Sequence, residues 1–171
     1  MAQLVRRWTI NELPTIQNVL WKTWREAYSS FIPEADLKSY FTEHYDLKAL
    51  TELFENPLVS GFVAEVDGEV AGFIRTTLDR EENRYYVSSI YVLPQHQSKG
   101  IGRELMKQAA AEARMHKLDR VWLGVMVQNR QALLWYEQMG YTIVRQEPFV
   151  MGQSIVDHYI GFIPVESIFT G

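Results

Sequence analysis

The chain has no cysteine, which excludes disulfides, thiolate metal sites and a cysteine nucleophile together. Long apolar runs are also missing. The longest strongly apolar stretch, residues 121–127, falls far short of the roughly 20 residues a bilayer-spanning helix needs, and no apolar segment follows Arg6 and Arg7. The expectation is a cytoplasmic protein with no membrane partner. An excess of positive charge is lacking as well: 17 Lys and Arg stand against 21 Asp and Glu, and the net charge of -4 argues against a general nucleic-acid binder. The four histidines, His44, His96, His116 and His158, have no ligand-like spacing, so no metal is expected. Internal repeats, low-complexity tracts and linkers are absent too.

What is present suits a small enzyme. At 171 residues and 47% hydrophobic, the chain can bury a sizeable core, and its length favours a single domain over 1–171. Residues 4–8 read as a first strand. Thr9-Ile10-Asn11-Glu12 matches a capping box, opening a helix with an apolar stripe at Leu13, Ile16, Leu20 and Trp24. After a break at 29–32, Pro33 introduces a second helix to about Tyr45, and residues 47–54 form a third. Residues 58–66 and 70–78, joined by Asp67-Gly68, read as a hairpin. Strands at 87–93 and 121–127 flank a helix at 103–116, and a helix at 129–139 ends at Gly140. Strands at 141–150 and 155–162 close a mixed α/β order with one parallel pair bridged by a helix.

The most informative stretch is Gln97-Ser98-Lys99-Gly100-Ile101-Gly102, because a strand leads into it and a helix leads out. A glycine-rich turn at a helix N-terminus presents backbone N–H groups to phosphate oxygens. Such a turn is also, quite often, only a loop that needs positive φ. It lacks the Gly-Lys-Ser/Thr ending of a P-loop and differs from the Gly-x-Gly-x-x-Gly dinucleotide fingerprint.

About thirty residues on lies Asn129-x-x-Ala132-x-x-Trp135-Tyr136-x-x-x-Gly140-Tyr141. Together, Gln-x-x-Gly-x-Gly and this second motif resemble the GNAT acetyltransferases, which use acetyl-coenzyme A. Trp122-Leu123-Gly124-Val125, Phe149-x-Met151-Gly152 and Asp157 make the chain most similar to the bacterial polyamine (spermine/spermidine) acetyltransferases of the Pai type. The match runs over about residues 86–157. It implies the GNAT fold: a mixed, mostly antiparallel sheet of about seven strands flanked by helices, with a parallel pair splayed at the acetyl-coenzyme A site. It also implies a direct attack in a ternary complex, without a metal.

The resemblance assigns roles by position. Ile90, Tyr91 and Val92 would pair with the pantetheine arm, and Gln97, Ser98, Lys99, Gly100, Ile101, Gly102 and Arg103 would hold the diphosphate. For Lys99 and Arg103 the alternative is a solvated pair of surface cations. Tyr136 would protonate the departing thiolate, its alternative being a core tyrosine with a satisfied hydroxyl. Asn129 and Ala132 would meet the cofactor arm; Asn129 also reads as a helix N-cap, and both roles are compatible.

Many relatives place a glutamate base on the fourth or fifth strand, where this chain has Ser88 and Gly124. Ordered water or a carboxylate from the N-terminal helices would then serve as base, Glu26 being one candidate, with a solvated helix-face residue as its alternative. Residues 11–56 carry eight acidic residues, Glu12, Glu26, Glu34, Asp36, Glu43, Asp46, Glu52 and Glu55, against four basic ones. An acidic lining suits a cationic amine such as a polyamine, although charged helix faces are commonly just solvated. Glu26 and Tyr28 are the candidate acceptor-binding residues. Three classes of function follow: an N-acetyltransferase for a small primary amine, an enzyme acetylating a protein N-terminus or lysine, and a non-catalytic acetyl-coenzyme A binding module. The closing strands suggest a homodimer by analogy.

Overall fold

The computed structural model describes residues 3–171. Its first half runs β1 (Gln3–Arg7), α1 (Leu13–Tyr28), α2 (Glu34–Tyr45), α3 (Leu47–Glu55), β2 (Val59–Val66) and β3 (Glu69–Asp79). The second half runs β4 (Arg84–Val92), α4 (Ile101–Met115), β5 (Arg120–Met126), α5 (Arg130–Gln138), β6 (Thr142–Met151), β7 (Ser154–Pro164) and α6 (Val165–Thr170). Among the described residues the strands form one seven-stranded sheet in the order β1-β2-β3-β4-β5-β7-β6. Neighbours are antiparallel except β4 and β5, the expected parallel pair.

Alternation along the strands sends side chains to two helical layers. Val63 and Phe73 face α1–α3, packing with Ile16, Leu20, Trp24 and Leu50. Phe62 and Ile74 face the other way, toward Leu105, Met106 and Ala109 of α4 and Ile168 of α6. Each fully buried large apolar side chain contributes about 1.5–3 kcal/mol, so the two clusters hold the layers on the sheet. Outside them, Glu12 closes the turn before α1: it accepts the Thr9 N–H at 2.7 Å and two hydrogen bonds from Arg6.

Three boundaries differ from the sequence reading. The helix expected from Arg103 begins at Ile101, with Gly100 as its N-cap at φ 83°. Glycine is a poor helix former, yet Gly102 sits inside the first turn because the Trp135 ring covers it; a Cβ there would lie 2.9 Å from that ring. β4 begins at Arg84 instead of Val87. There Tyr85 is drawn into the core and its hydroxyl is 2.7 Å from that of Thr76. α6 was not expected at all; it is six residues long, anchored by buried Val165 and Ile168.

The feature that positions the site is a split in the sheet. β4 and β5 pair only at Tyr85 with Val121 and Tyr86 with Trp122. On the β3 side, the register passes from Thr76–Val87 to Arg75–Ser89, which leaves Ser88 as an extra, bulged residue. A bulge bends its strand, and here it lies where β4 leaves β5. From Val87 to Val92 the edge facing β5 therefore has no strand partner among the described residues.

At the other end of the sheet, Gly161 joins β5 to β6 through β7. A Cβ there would lie 2.1 Å from the Thr142 carbonyl oxygen and 2.9 Å from the Tyr141 ring. Gly161→Ala is expected to destabilise the fold by about 3 kcal/mol, read as a lowered urea midpoint with an unchanged m-value.

Candidate active site

A cavity of about 1540 Å³ opens at the split between β4 and β5. Pockets for a drug-sized ligand span about 300–1,000 Å³, so this one has room for a large ligand and a second small one. Its walls come from both faces of the sheet: Ile101, Gly102 and Tyr136 on one side, Trp24 and Tyr45 with Arg75 of β3 on the other. Ile90, Tyr91 and Val92 line it along the unpaired edge of β4, where an extended arm would find free backbone groups.

The turn before α4 has the form of an anion cradle. Ser98 and Gly100 both take positive φ, 61° and 83°. The backbone N–H groups of Ser98 through Arg103 donate to no acceptor among the described residues; the first helical bond is Glu104 N–H to Gly100 C=O. Side chains cap α3 and α5, whereas α1, α2 and α6, like α4, have no side-chain cap hydrogen bond. Asp46 accepts from Ala49 N–H at 2.7 Å at the start of α3, and Asn129 accepts from Ala132 N–H at 3.4 Å at the start of α5. α4 has no side-chain cap. Its orphan donors and helix dipole therefore point into the cavity unspent, which is the arrangement a diphosphate needs.

Around this turn the expected residues separate. Gln97 lines the cavity, and its side-chain amide donates to Val92 C=O at 3.0 Å, pinning the loop to the end of β4. Arg103 lines the cavity and also donates to Ile168 C=O at 3.3 Å. Lys99 alone of residues 97–103 lies off the cavity wall, with its side chain exposed. Asn129 is the N-cap that the sequence allowed, and with Ala132 it lines the cavity. Arg130, which sequence reasoning passed over, lines it too.

Tyr136 is buried on the wall between the two ends. Its hydroxyl has no hydrogen-bond partner among the described residues, unlike Tyr141, whose hydroxyl donates to Leu123 C=O at 3.0 Å. Burial, with nearby Tyr28 and Tyr141 adding to it, raises the Tyr136 phenol well above the ordinary tyrosine value. It is protonated at neutral pH. Tyr28 and Tyr91 share a hydrogen bond at 2.7 Å, and burial pushes Tyr28 up to about 12.

The acceptor end is less acidic than the composition of residues 11–56 suggested. Among those eight acids Glu26 lines the cavity. Glu34 pairs with Arg25, Asp36 accepts from Gln153 N–H and the Ser154 hydroxyl, Glu12 is held by Arg6, and Asp46 caps α3. The bulged Ser88 meets the Thr77 hydroxyl at 2.9 Å.

Beside Gly124 the space is filled from β7. A Cβ on Gly124 would lie 3.1 Å from His158 Cδ2. His158 Nδ1 is 2.8 Å from the Glu147 carbonyl oxygen, and a carbonyl only accepts, so Nδ1 carries a hydrogen; Nε2 lies 3.9 Å from the Glu147 carboxylate. Sequence reasoning missed His158 and Arg75, although both interrupt alternating apolar positions, Val156-x-His158-x-Ile160 and Phe73-x-Arg75, on inward strand faces.

The splayed sheet, the uncapped α4 turn and the lone phenol define a class, and direct comparison agrees. The model of the acetyltransferase (GNAT) family matches residues 16–141, and the chain belongs to that family, whose members use acetyl-coenzyme A. Among curated relatives, streptothricin acetyltransferase of Streptomyces lavendulae is 39% identical over 75 residues, 44% of this chain and 40% of that enzyme. The N-alpha-acetyltransferase of Sulfurisphaera tokodaii is 32% identical over 126 residues, covering 67% of this chain and 70% of the relative. In fold the chain is similar to the PaiA N-acetyltransferase from Thermoplasma acidophilum, solved in complex with coenzyme A. The TM-score is 0.82 at 21% identity, over 96% of this chain and 99% of that one.

Proposed function

We propose that this protein transfers the acetyl group of acetyl-coenzyme A to a primary amine of a small molecule by direct attack. The observation that carries this reading is the α4 turn with its unpartnered N–H groups, open to the same cavity as the unpartnered hydroxyl of Tyr136. When bound, the thioester supplies an acetyl group already activated for transfer. The α4 turn holds the diphosphate, the free edge of β4 at Ile90, Tyr91 and Val92 aligns the arm, and Asn129 and Ala132 flank it. Tyr136 hydrogen-bonds the sulfur and gives it a proton as the carbon–sulfur bond breaks.

Proton removal from the amine falls to His158 Nε2, directly or through water, ahead of Glu26. His158 occupies the space that a longer side chain at Gly124 would take. Glu26 and Tyr28 line the acceptor end and remain its candidate binding residues. The finer expectation, a polyamine or similar cationic amine, rested on an acidic lining of which Glu26 is the part contributed by residues 11–56. Relatives named for streptothricin and for N-alpha acetylation differ in acceptor, so family membership does not choose one. The homodimer suggested by the closing strands would rest on Ile143, Val144, Val150 and Ile155, which are exposed on β6 and β7.

The test is a screen of free-thiol release from acetyl-coenzyme A with polyamines, aminoglycosides, amino acids and short peptides. Turnover with small amines is the expected result. Turnover with peptides alone would transfer the protein to the second class, and acetyl-coenzyme A binding without any turnover to the third.

A pH profile follows from the phenol. The active form of Tyr136 is the protonated one, and its raised value extends that form to higher pH. Hence kcat/KM is expected to rise toward pH 9.5 as the acceptor amine loses its proton, about pKa 10.4 for an alkylamine. A falling limb between pH 8 and about 9.5, where an ordinary phenol begins to ionise, would contradict this.

A further inference from the structure

The geometry points to an acceptor that carries a carboxylate beside its amine, with the carboxylate held by Arg75, Tyr45 and Ser89. This rests on the acetyl-transfer reading above and narrows its substrate class to amino acids. Arg75 projects from β3 into the cavity on the side away from α4. It forms no ion pair among the described residues, and its guanidinium lies 5.7 Å from the centroid of the Tyr45 ring. A guanidinium in a largely aromatic chamber, taken out of bulk water without a counter-charge, is stabilised by any anion that can reach it.

Arg75 Nη2 donates to the Tyr45 hydroxyl at 3.2 Å and to the Ser89 hydroxyl at 3.5 Å. The two hydroxyls are 3.4 Å apart; one of them donates to the other, and the second is left with a free hydrogen. Arg75 Nε is buried without a partner, and Nη1 makes no hydrogen bond to the described residues. The cluster therefore holds surplus donors and no spare charged acceptor. An ammonium would meet only neutral hydroxyl lone pairs here, beside a guanidinium of like charge. A carboxylate only accepts, and a guanidinium offers it a planar fork. The neighbouring walls, Trp24, Tyr40 and Phe149, suit an apolar side chain.

The test compares steady-state kcat/KM for L-methionine, L-leucine and L-phenylalanine with that for their carboxamides and for spermidine, by thiol release from the full chain. Each amide keeps the amine and removes the charge; its amine is less basic, which by itself favours the amide. The expected result is a preference of about 10- to 100-fold for the acids, the range of a hydrogen bond to a charged group. Arg75→Met is expected to abolish that preference and Arg75→Lys to restore part of it, while both variants still bind acetyl-coenzyme A in calorimetry. Equal use of acids and amides, or better use of spermidine, would overturn the inference and leave acetyl transfer standing. Thiol release with none of these acceptors, nor with aminoglycosides or peptides, would overturn the acetyl-transfer reading itself. Should Arg75→Met fail to fold, the comparison of acids with amides in the unaltered protein decides alone.

Discussion

Replacing Tyr136 with phenylalanine is expected to lower kcat by about 100-fold or more, the usual contribution of a positioned acid, while the dissociation constant for acetyl-coenzyme A stays within about twofold. The two readouts separate because the hydroxyl and the ring do different things. The ring packs with Tyr141, centroids 5.9 Å apart, and with Trp135 at 5.2 Å, and phenylalanine keeps both contacts. The hydroxyl has no partner among the described residues, so its removal breaks no hydrogen bond within the chain. A phenol raised this far is a weak acid, and a thiol of ordinary pKa about 8.5 would leave as a weaker base than the phenolate. Burial narrows the gap, because the same desolvation raises the basicity of a thiolate departing beside Tyr136. The phenol then acts first as a hydrogen-bond donor to the developing charge and completes the transfer late. Single-turnover kinetics with acetyl-coenzyme A prebound would place the loss in the chemical step.

The second large effect belongs to the α4 turn. Gly102→Asp is expected to weaken acetyl-coenzyme A binding by about 100-fold or more. A carboxylate about 5 Å from a phosphate charge is repelled by roughly 3 kcal/mol at an effective dielectric near 20. The fold should tolerate the change. An acidic residue in the first helical turn is favoured by the dipole, and the clash at 2.9 Å is with the half-buried Trp135 ring rather than with backbone. Gly102→Asn has nearly the same shape without the charge and should lose much less affinity. Equal losses in the two variants, measured by calorimetry, would assign the effect to crowding against Trp135 and remove the turn as the diphosphate site.

Much of the framework was legible because local chemistry and tertiary context agree there. The apolar stripe of α1, the Asp67-Gly68 hairpin turn with both residues at positive φ, and Gly140 ending α5 each state their role in a few neighbouring residues. The turn at 97–103 was equally plain, since its glycines stand where a strand-like run gives way to a helix-like run. α6 was not, because a six-residue helix is made by packing of Val165 and Ile168 and not by its own propensity. Nor was the acceptor end. Eight acids crowded into the N-terminal helices suggested an acidic chamber, but most face solvent or hold the chain together, and burial is not written in composition. Arg75 and His158 come from β3 and β7, far apart in sequence. Only the order of the sheet and the opening between β4 and β5 bring them to one cavity.

A crystal structure of the protein with acetyl-coenzyme A tests the central claim most directly. The diphosphate is expected on the backbone N–H groups of residues 98–103 and the thioester sulfur within about 3.5 Å of the Tyr136 hydroxyl. A coenzyme seated elsewhere, or a sulfur beyond hydrogen-bond reach of that hydroxyl, would contradict it.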